Sequence, residues 1–364
     1  MDTRKTILAA AITLFIANQA IADSESTQEQ TGSDNNAEVM QQGDEGSISQ
    51  IQDGTANVVL TSQQGYGLTA NSDQRGDGNI SITDQTGANG SVDITQDGDV
   101  NLATVAQTSA ENGHTASISQ MGTGNIAYVE QLDGDVSSAA ISQDGQLNAI
   151  ELSQEGIGNR YDGTQSGVGN TAYVEQAGGA FATTIQTGSD NRLTLTQDGF
   201  PYGATASISQ NGTNNQATVD QPSAVRYNSG SVDLVQNGSD NVADIVAFVG
   251  DGYISFTQEG LGNELTIDQG GRDSSVVGTS SGEENRVTIT QDFDGNSVAI
   301  AQDGTQNEID VVQEGYYSSG TIEQTGTENY ASLVQTGGLD AMTQYDAVIM
   351  QNGTGNSALV TQGP

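Results

Sequence analysis

Primary amide side chains recur along this chain at a fixed spacing, in the motif Gln-x-Gly-x-x-Asn followed six residues later by a second Gln. A representative copy runs from Gln120 through Gly122 and Asn125 to Gln131. An amide carries donors and an acceptor, so identical amides stacked one above another can each donate to one neighbour and accept from the other. The spacing therefore predicts a hydrogen-bonded amide ladder. The alternative is that Gln and Asn are only polar turn residues and form no ladder. It is disfavoured because Ser and Asp serve equally well in turns, yet the motif positions do not vary in that way.

The motif occurs fifteen times, and its Gly and Asn are present in every copy. Ser280 replaces one opening Gln, and Ala247 replaces one closing Gln. The candidate ladder, turn and assembly residues each occupy one of four motif positions: opening Gln, Gly, Asn or closing Gln. They are Gln30, Gly32, Asn35, Gln41, Gln52, Gly54, Asn57, Gln63, Gln96, Gly98, Asn101, Gln107, Gln120, Gly122, Asn125, Gln131, Gln302, Gly304, Asn307, Gln313, Gln324, Gly326, Asn329, Gln335, Gln351, Gly353, Asn356 and Gln362.

The elements that position these amides are predicted to be strands. Opening and closing Gln are always 11 residues apart, the dominant period is 22, and apolar residues alternate around the motif, as at Val287 and Ile289. Period two indicates half-buried strands, and Gly and Asn supply the turns. We therefore predict an all-β fold over residues 23–364. It is a two-sheet parallel β-solenoid of about fifteen 22-residue strand-turn-strand coils, with a thin core of small and medium side chains.

The two edges of this solenoid are predicted to differ. The Gln-x-Gly-x-x-Asn turn keeps one length, whereas the opposite turn carries the insertions, among them 200–202, 222–230 and 337–345. Three coils are expected to be weak: the one shortened between Gln176 and Gln186, and those where Ser280 and Ala247 interrupt a ladder.

The first 22 residues have the pattern of a secretory signal peptide. Arg4 and Lys5 precede an apolar run over residues 7–16, and Ala20 and Ala22 form an Ala-x-Ala cleavage site. This pattern predicts a secreted chain that begins near Asp23. No later apolar run is long enough to insert into a membrane. The absence of Cys excludes a disulfide framework.

Composition argues against several function classes. A net charge of −39 disfavours nucleic acid and anionic membranes as partners, because phosphates are bound by Lys and Arg. Acidic residues are spread over nearly every repeat, and the one His, His114, is expected at the surface of a variable loop. No enzyme activity, cofactor or metal site is therefore predicted. An ice-binding surface would need Thr in the same outward place in every coil, and most coils lack it.

The repeats begin within a few residues of Asp23 and end at Gln362, so both ends are expected to expose unpaired strand edges. The natural partner of one end is the opposite end of another copy, a head-to-tail contact that builds open filaments. The predicted function is a structural subunit that polymerises with itself. The alternative is a monomeric β-solenoid adhesin or ligand-binding protein.

These residues resemble the curlin family, whose repeat reads Ser-x5-Gln-x-Gly-x2-Asn-x-Ala-x3-Gln. The first repeat matches it fully from Ser24 to Gln41, as does the fourteenth from Ser318 to Gln335. The resemblance covers the mature chain and implies an extracellular functional amyloid of the biofilm matrix that mediates surface adhesion. It also implies export through a dedicated outer-membrane pore, accessory chaperones and a nucleator at the bacterial cell surface. Major subunit and nucleator both fit the repeat.

The acidic surplus predicts how assembly responds to solution conditions. Asp53, Asp97, Asp144 and Asp303 each follow an opening Gln, and we expect them to stack as outward carboxylates that repel one another. Salt screens this repulsion and acid neutralises it, so fibres should form faster under both conditions.

Overall fold

The computed structural model describes residues 23–134, 136–199, 203–222, 230–248, 250, 252–337 and 344–364. These residues form two parallel sheets of 15 strands each. All odd-numbered strands lie in the first sheet and all even-numbered strands in the second, so each coil contributes one strand to each. The predicted two-sheet parallel β-solenoid of fifteen coils is confirmed. We number the coils 1 to 15, coil 1 holding β1 and β2.

The first sheet contains the strands that carry the opening Gln. They are β1 Glu25–Ser33, β3 Ser47–Thr55, β5 Thr69–Asp77, β7 Ser91–Asp99, β9 Thr115–Thr123, β11 Ser138–Gln146, β13 Arg160–Val168, β15 Phe181–Ser189, β17 Thr205–Thr213, β19 Ser231–Ser239, β21 Tyr253–Leu261, β23 Ser275–Glu283, β25 Ser297–Thr305, β27 Ser319–Thr327 and β29 Asp346–Thr354.

The second sheet contains the strands that carry the closing Gln. They are β2 Asn36–Asp44, β4 Val58–Tyr66, β6 Ile80–Ala88, β8 Leu102–Thr108, β10 Ile126–Leu132, β12 Ala149–Glu155, β14 Thr171–Ala177, β16 Arg192–Asp198, β18 Gln216–Gln221, β20 Val242–Ala247, β22 Glu264–Gln269, β24 Arg286–Asp292, β26 Glu308–Glu314, β28 Tyr330–Thr336 and β30 Ser357–Gln362.

Alternation of side chains puts the apolar residues and the motif amides on the same inward face. In coil 5, Ala116, Ile118, Ala127 and Val129 are at most 3% exposed and form part of the core between the sheets. Coils stack in strict register, because moving a strand by one residue would turn its apolar side chains outward. Gln120 thus pairs with Gln143 of the next coil. At about 4.8 Å per coil, the stack is roughly 70 Å long.

The motif Gly is required by the stacking itself. Its φ lies between +102° and +139° in all fifteen coils. In coils 1 to 14, a Cβ at this Gly would lie 1.9–2.2 Å from the carbonyl oxygen of the corresponding Gly in the next coil. No side chain fits there, because the two backbones approach too closely.

The residue before each motif Asn has left-handed backbone, with φ between +53° and +69°. Only five of these fifteen positions hold Gly. Val100 and Leu147 are among the others, although a left-handed conformation costs a side-chain-bearing residue about 1–2 kcal/mol. We call the edge formed by these residues and the Asn residues the constant edge, and the opposite edge the variable edge.

Several predictions concern residues outside those described. The signal peptide, 1–22, lies there, as do the insertion at 200–202 and most of those at 222–230 and 337–345. Within the described ranges, no helix is long and apolar enough to cross a membrane.

Candidate functional site: amide ladders and open coil ends

The opening Gln residues form a ladder along the constant edge of the core. Except in the coil before Ser280 and in the last coil, the Nε2 of each donates to the Oε1 of the corresponding Gln in the next coil, at 2.8 Å from Gln120 to Gln143. A second hydrogen of Gln120 goes to the backbone carbonyl of Leu102, at 3.0 Å. The side chain is 1% exposed, so these bonds replace water for a buried amide.

The closing Gln residues form a second ladder with the same direction on the other edge of the core. The Nε2 of Gln131 donates to the Oε1 of Gln154 at 2.8 Å and to the carbonyl of Thr115 at 3.1 Å. Both Gln ladders therefore donate toward the C-terminal end of the stack.

The motif Asn residues form a third ladder that runs the other way. The backbone N–H and the Nδ2 of Asn125 both donate to the Oδ1 of Asn101 in the preceding coil, at 3.0 and 3.1 Å. Nδ2 also donates to the carbonyl of Gly145 in the following coil, at 3.1 Å. Asn thus joins three consecutive coils, and Asp would lose these donor contacts.

The three ladders give the two ends of the stack different unmet hydrogen bonds. Among the described residues, the first coil offers acceptors, the Oε1 atoms of Gln30 and Gln41, which receive no donor from a preceding coil. The last coil offers donors, because the Nε2 of Gln351 and Gln362 reach only the carbonyls of Tyr330 and Asp346. The Asn ladder runs in the opposite direction, so its unmet acceptor, the Oδ1 of Asn356, is at the last coil. The two ends are therefore complementary.

Ser280 interrupts the opening ladder with little consequence. Its Oγ donates to the Oε1 of Gln302 at 2.9 Å, and the Nε2 of Gln258 donates to the carbonyl of Asn263 instead. The shortened coil between Gln176 and Gln186 keeps both ladders, since Gln165 bonds to Gln186 and Gln176 to Gln197. These two sites were predicted to be weak, and their ladder contacts show no unmet amide.

Ala247 is different, because it leaves a buried acceptor unsatisfied. The Oε1 of Gln269 in the next coil is buried and has no partner within the described residues. The Nε2 of Gln221, in the preceding coil, turns to the carbonyls of Thr205 and Gly230. An unpaired buried acceptor costs about 1–3 kcal/mol.

Replacing Ala247 by Gln should restore the ladder from Gln221 to Gln269 and stabilise the solenoid by about 1–3 kcal/mol. Thermal unfolding followed by circular dichroism measures the change. Ser280→Gln is the matched control, and its gain should be smaller because the Oε1 of Gln302 already has a donor. Equal gains, or a gain only at Ser280, would show that the unpaired acceptor is not the weak point.

The prediction that His114 is a surface residue is wrong, because its side chain is fully buried. Its Nε2 lies 3.1 Å from the carbonyl of Thr108, and its Nδ1 accepts the backbone N–H of Ser137 at 3.2 Å. His114 immediately precedes β9, at the place that Gly90 and Ser137 fill in neighbouring coils. Counting back six residues from each opening Gln would have revealed this position.

The polar interior of the first three coils was not predicted. Gln28 donates to Gln50, and Gln50 donates to the hydroxyl of Thr61, at positions where most later coils carry a large apolar side chain. In coil 3, the hydroxyls of Ser72 and Ser81 are buried without partners among the described residues. The continuous apolar core begins only at Val92 in coil 4.

The expected stacking of outward carboxylates is also wrong in detail. Asp53 pairs with Thr31 and Arg75, and Asp97 pairs with Arg75 and Met121. Asp144 and Asp303 likewise lie beside uncharged residues. The four carboxylates share one outward row, but no two of them lie in adjacent coils. The row therefore avoids direct like-charge pairs.

The described residues contain no group of three or more His, Cys, Asp or Glu side chains that could hold a metal ion. The chemistry that this arrangement offers is hydrogen bonding along the stack and at its two ends. The amides that supply it are those of the repeated motif.

Two stretches of the chain match the family model of the curlin associated repeat, residues 112–145 and 282–315. The first contains the motif from Gln120 to Gln131, and the second contains the motif from Gln302 to Gln313. No curated protein matches the chain. The matched stretches stack in the same register as the other coils. The chain therefore contains two matches to the curlin associated repeat within one continuous solenoid, and this supports its similarity to curlin.

Proposed function

We propose that this protein is a secreted structural subunit that polymerises head to tail into extracellular curli-like amyloid fibres, which contribute to biofilm matrix and surface adhesion. The observation that carries the proposal is the complementarity of the two ends. A second copy placed with its coil 1 beside coil 15 of the first would continue all three ladders. Two like ends would bring acceptor against acceptor or donor against donor.

The apolar rows support the same placement. On the second-sheet side of the junction, Ala358 and Val360 would meet Ala37 and Val39 of the next copy, as they meet Ala331 and Leu333 inside the chain. On the first-sheet side, however, Ile349 would meet the amide of Gln28, whose donor is already used within its own copy. The junction is thus less favourable than an internal coil pair, and subunits should exchange and add there.

Secretion rests on the signal-peptide pattern of residues 1–22, and the remaining partners rest on the resemblance to curlin. Under this proposal the chain leaves the cell through an outer-membrane pore with the help of accessory chaperones. A nucleator subunit then templates the first junction. In this proposed role the protein is a structural component of the polymer, and the role requires neither catalysis nor a cofactor.

Electron microscopy and thioflavin fluorescence of the purified chain test the proposal. We expect unbranched fibres that bind thioflavin and grow after addition of preformed seeds. A sample that stays monomeric after prolonged incubation with seeds would contradict polymerisation and favour the monomeric adhesin.

Fibre growth should accelerate with salt and with mild acid. The net charge of −39 makes two copies repel, and the screening length falls from about 10 Å at 0.1 M salt to about 3 Å at 1 M. Seeded growth rates measured by thioflavin fluorescence at several salt concentrations test this. Rates that do not depend on salt or pH would contradict an electrostatic barrier.

Mild acid should leave the fold intact. The hydrogen bond from Arg272 holds the pKa of Asp294 below its usual range, so the stability from this ion pair is present above the usual carboxyl pKa. That stability is lost only as the pH falls through the lowered pKa of Asp294. Partial burial raises the pKa of Asp220, so its protonation as the pH falls relieves an unfavourable charge. Circular dichroism at about pH 5 should therefore match that at neutral pH.

A further inference from the structure

The outer face of the second sheet carries an exposed apolar patch that neither the fold nor the head-to-tail junction uses. The first outward row of this face holds Val58, Ile80, Leu102 and Ile126 in four consecutive coils. The second row adds Leu60 and Ile82 beside them. We call these six residues the apolar patch. Ile80 and Ile126 are 36% and 45% exposed, and the other four side chains are partly exposed.

Further along the sheet the same first row is mainly polar, which makes the run of four aliphatic residues a local feature. In coils 8 to 13 the same first row holds Arg192, Gln216, Val242, Glu264, Arg286 and Glu308. An outward strand face needs no large aliphatic side chains for folding, and a contiguous exposed group of them marks a contact surface.

The constant edge beside the patch supplies a second observation. Val100 and Leu147 each lie two residues before the first outward row and are 63% and 64% exposed. Both have left-handed backbone, with φ of +59° and +55°. This conformation is costly for a branched side chain, and exposed side chains gain little packing inside the chain in return. Their apolar surface widens the patch around the edge.

Carboxylates surround the patch. Glu38 lies in the coil before it and Glu151 in the coil after it, both on the second outward row. Asp84 and Glu130 lie along the third row. None of these four is in an ion pair among the described residues. Burial and the nearby carboxylates of Glu130 and Glu151 raise the pKa of Tyr128 on the same face.

Charge complementarity selects the occupant. A second copy of this chain would bring the same acidic border against it, and an anionic lipid surface would be repelled as well. A partner with lysine or arginine on either side of an apolar strip would cover the aliphatic side chains and neutralise the border. Four coils span roughly 15 Å, which fits about three turns of an amphipathic helix.

We propose that the apolar patch is a docking surface for a basic amphipathic helix of another protein. The patch lies on the outer face of the second sheet in coils 2 to 5, and its six side chains take no part in the junction between coil 15 and coil 1, so binding does not require polymerisation. In a fibre it would recur once per subunit.

The test uses the full-length folded protein at concentrations where it is monomeric. The probe is a fluorescent amphipathic helical peptide of Leu and Lys, and a peptide with the same Leu positions and Glu in place of Lys is the control. We expect the Lys peptide to bind and the Glu peptide to show no binding in an anisotropy titration. The triple variant I80T/L102T/I126T should weaken binding about tenfold or more, since three aliphatic contacts are lost. Threonine is already the outward residue at Thr171 in the same row, so the strands should tolerate it.

Two controls separate docking from general attraction to an acidic protein. Val242→Thr makes the same kind of change in the same row outside the patch and should leave affinity unchanged. Replacing Glu38, Asp84, Glu130 and Glu151 by their amides should weaken binding and reduce its salt dependence. Equal affinity of the triple variant and the parent would overturn the proposal. The proposal would also be overturned if the patch drove side-by-side self-association. In that case the mass of the parent protein would rise with its concentration, and the mass of the triple variant would not.

Discussion

Replacing Gly260 by alanine should separate coils 11 and 12. The new Cβ would lie 2.1 Å from the carbonyl oxygen of Gly282, and φ at this residue is +114°. The backbone cannot give way, because the strands on both sides are fixed by the sheet register. Strain and overpacking together should lower the free energy of unfolding by roughly 2–6 kcal/mol.

Gly262→Ala, two residues further on, is the matched control. Its Cβ would meet only the Cγ of Glu284 at 3.7 Å, an ordinary contact, with φ at +66°. Other coils hold Ala56 or Val100 at this position, so the cost should be near 1 kcal/mol. Hydrogen exchange of the amides in β21 and β23, together with thermal unfolding, measures both variants. Similar losses for the two variants would show that close stacking is not what requires the motif Gly.

Most of the fold follows from the repeat alone. Fixed spacing between Gln120 and Gln131, with alternating apolar residues between them, allows only strands whose inward faces carry both amides. The recurring period then places identical residues opposite one another, which determines the sheet order. Insertions do not disturb this, because they fall where the chain leaves one strand and has not yet entered the next.

The details that sequence reasoning missed depend on contacts between coils. The reason for an invariant Gly is a carbonyl oxygen that belongs to the next repeat, 22 residues away in the chain. The sequence spacing assigns His114 to a loop because Gln107 and Gln120 are 13 residues apart, two more than the usual 11, yet the chain resumes the stack at His114. The weak ladder at Ala247 was predicted from the sequence, and the structure adds which atom is left without a partner, the Oε1 of Gln269 in the next coil.

The polar interior of coils 1 to 3 shows why a uniform motif does not give uniform stability. The motif positions there are intact, but Gln28, Gln50 and Ser72 occupy the core position two residues before the opening Gln. Burying these groups gains less than burying Ile or Val, particularly where a hydroxyl lacks a partner. The N-terminal coils should therefore open first, although their motif is complete.

Head-to-tail stacking makes a specific prediction about Gly353, the motif Gly of the last coil. Within one copy, a Cβ at Gly353 would meet only the Nδ2 of Asn356, at 3.3 Å. In a filament the carbonyl of Gly32 from the next copy would take the place that lies 1.9–2.2 Å from the Cβ in coils 1 to 14. Gly353→Ala should therefore leave coils 1 to 14 folded and block the junction at the C-terminal end.

Such a variant should act as a chain terminator. Its N-terminal end is unchanged, so it can add to the C-terminal end of a growing fibre, and its own last coil then accepts no further subunit. Gly355→Ala is the control, because a Cβ at Gly355 has nothing within 4 Å and other coils hold side chains at this position. Both variants add one methyl group to the same turn.

The most direct test measures seeded growth of the unmodified protein in the presence of small amounts of each variant, by thioflavin fluorescence and by the length of single fibres. The head-to-tail account predicts that Gly353→Ala stops elongation at the C-terminal ends of the fibres well below equimolar amounts, whereas Gly355→Ala joins the fibres and leaves growth unchanged at both ends. Normal elongation with folded Gly353→Ala incorporated throughout the fibres would contradict the account, because it would show that the coil ends do not stack on one another.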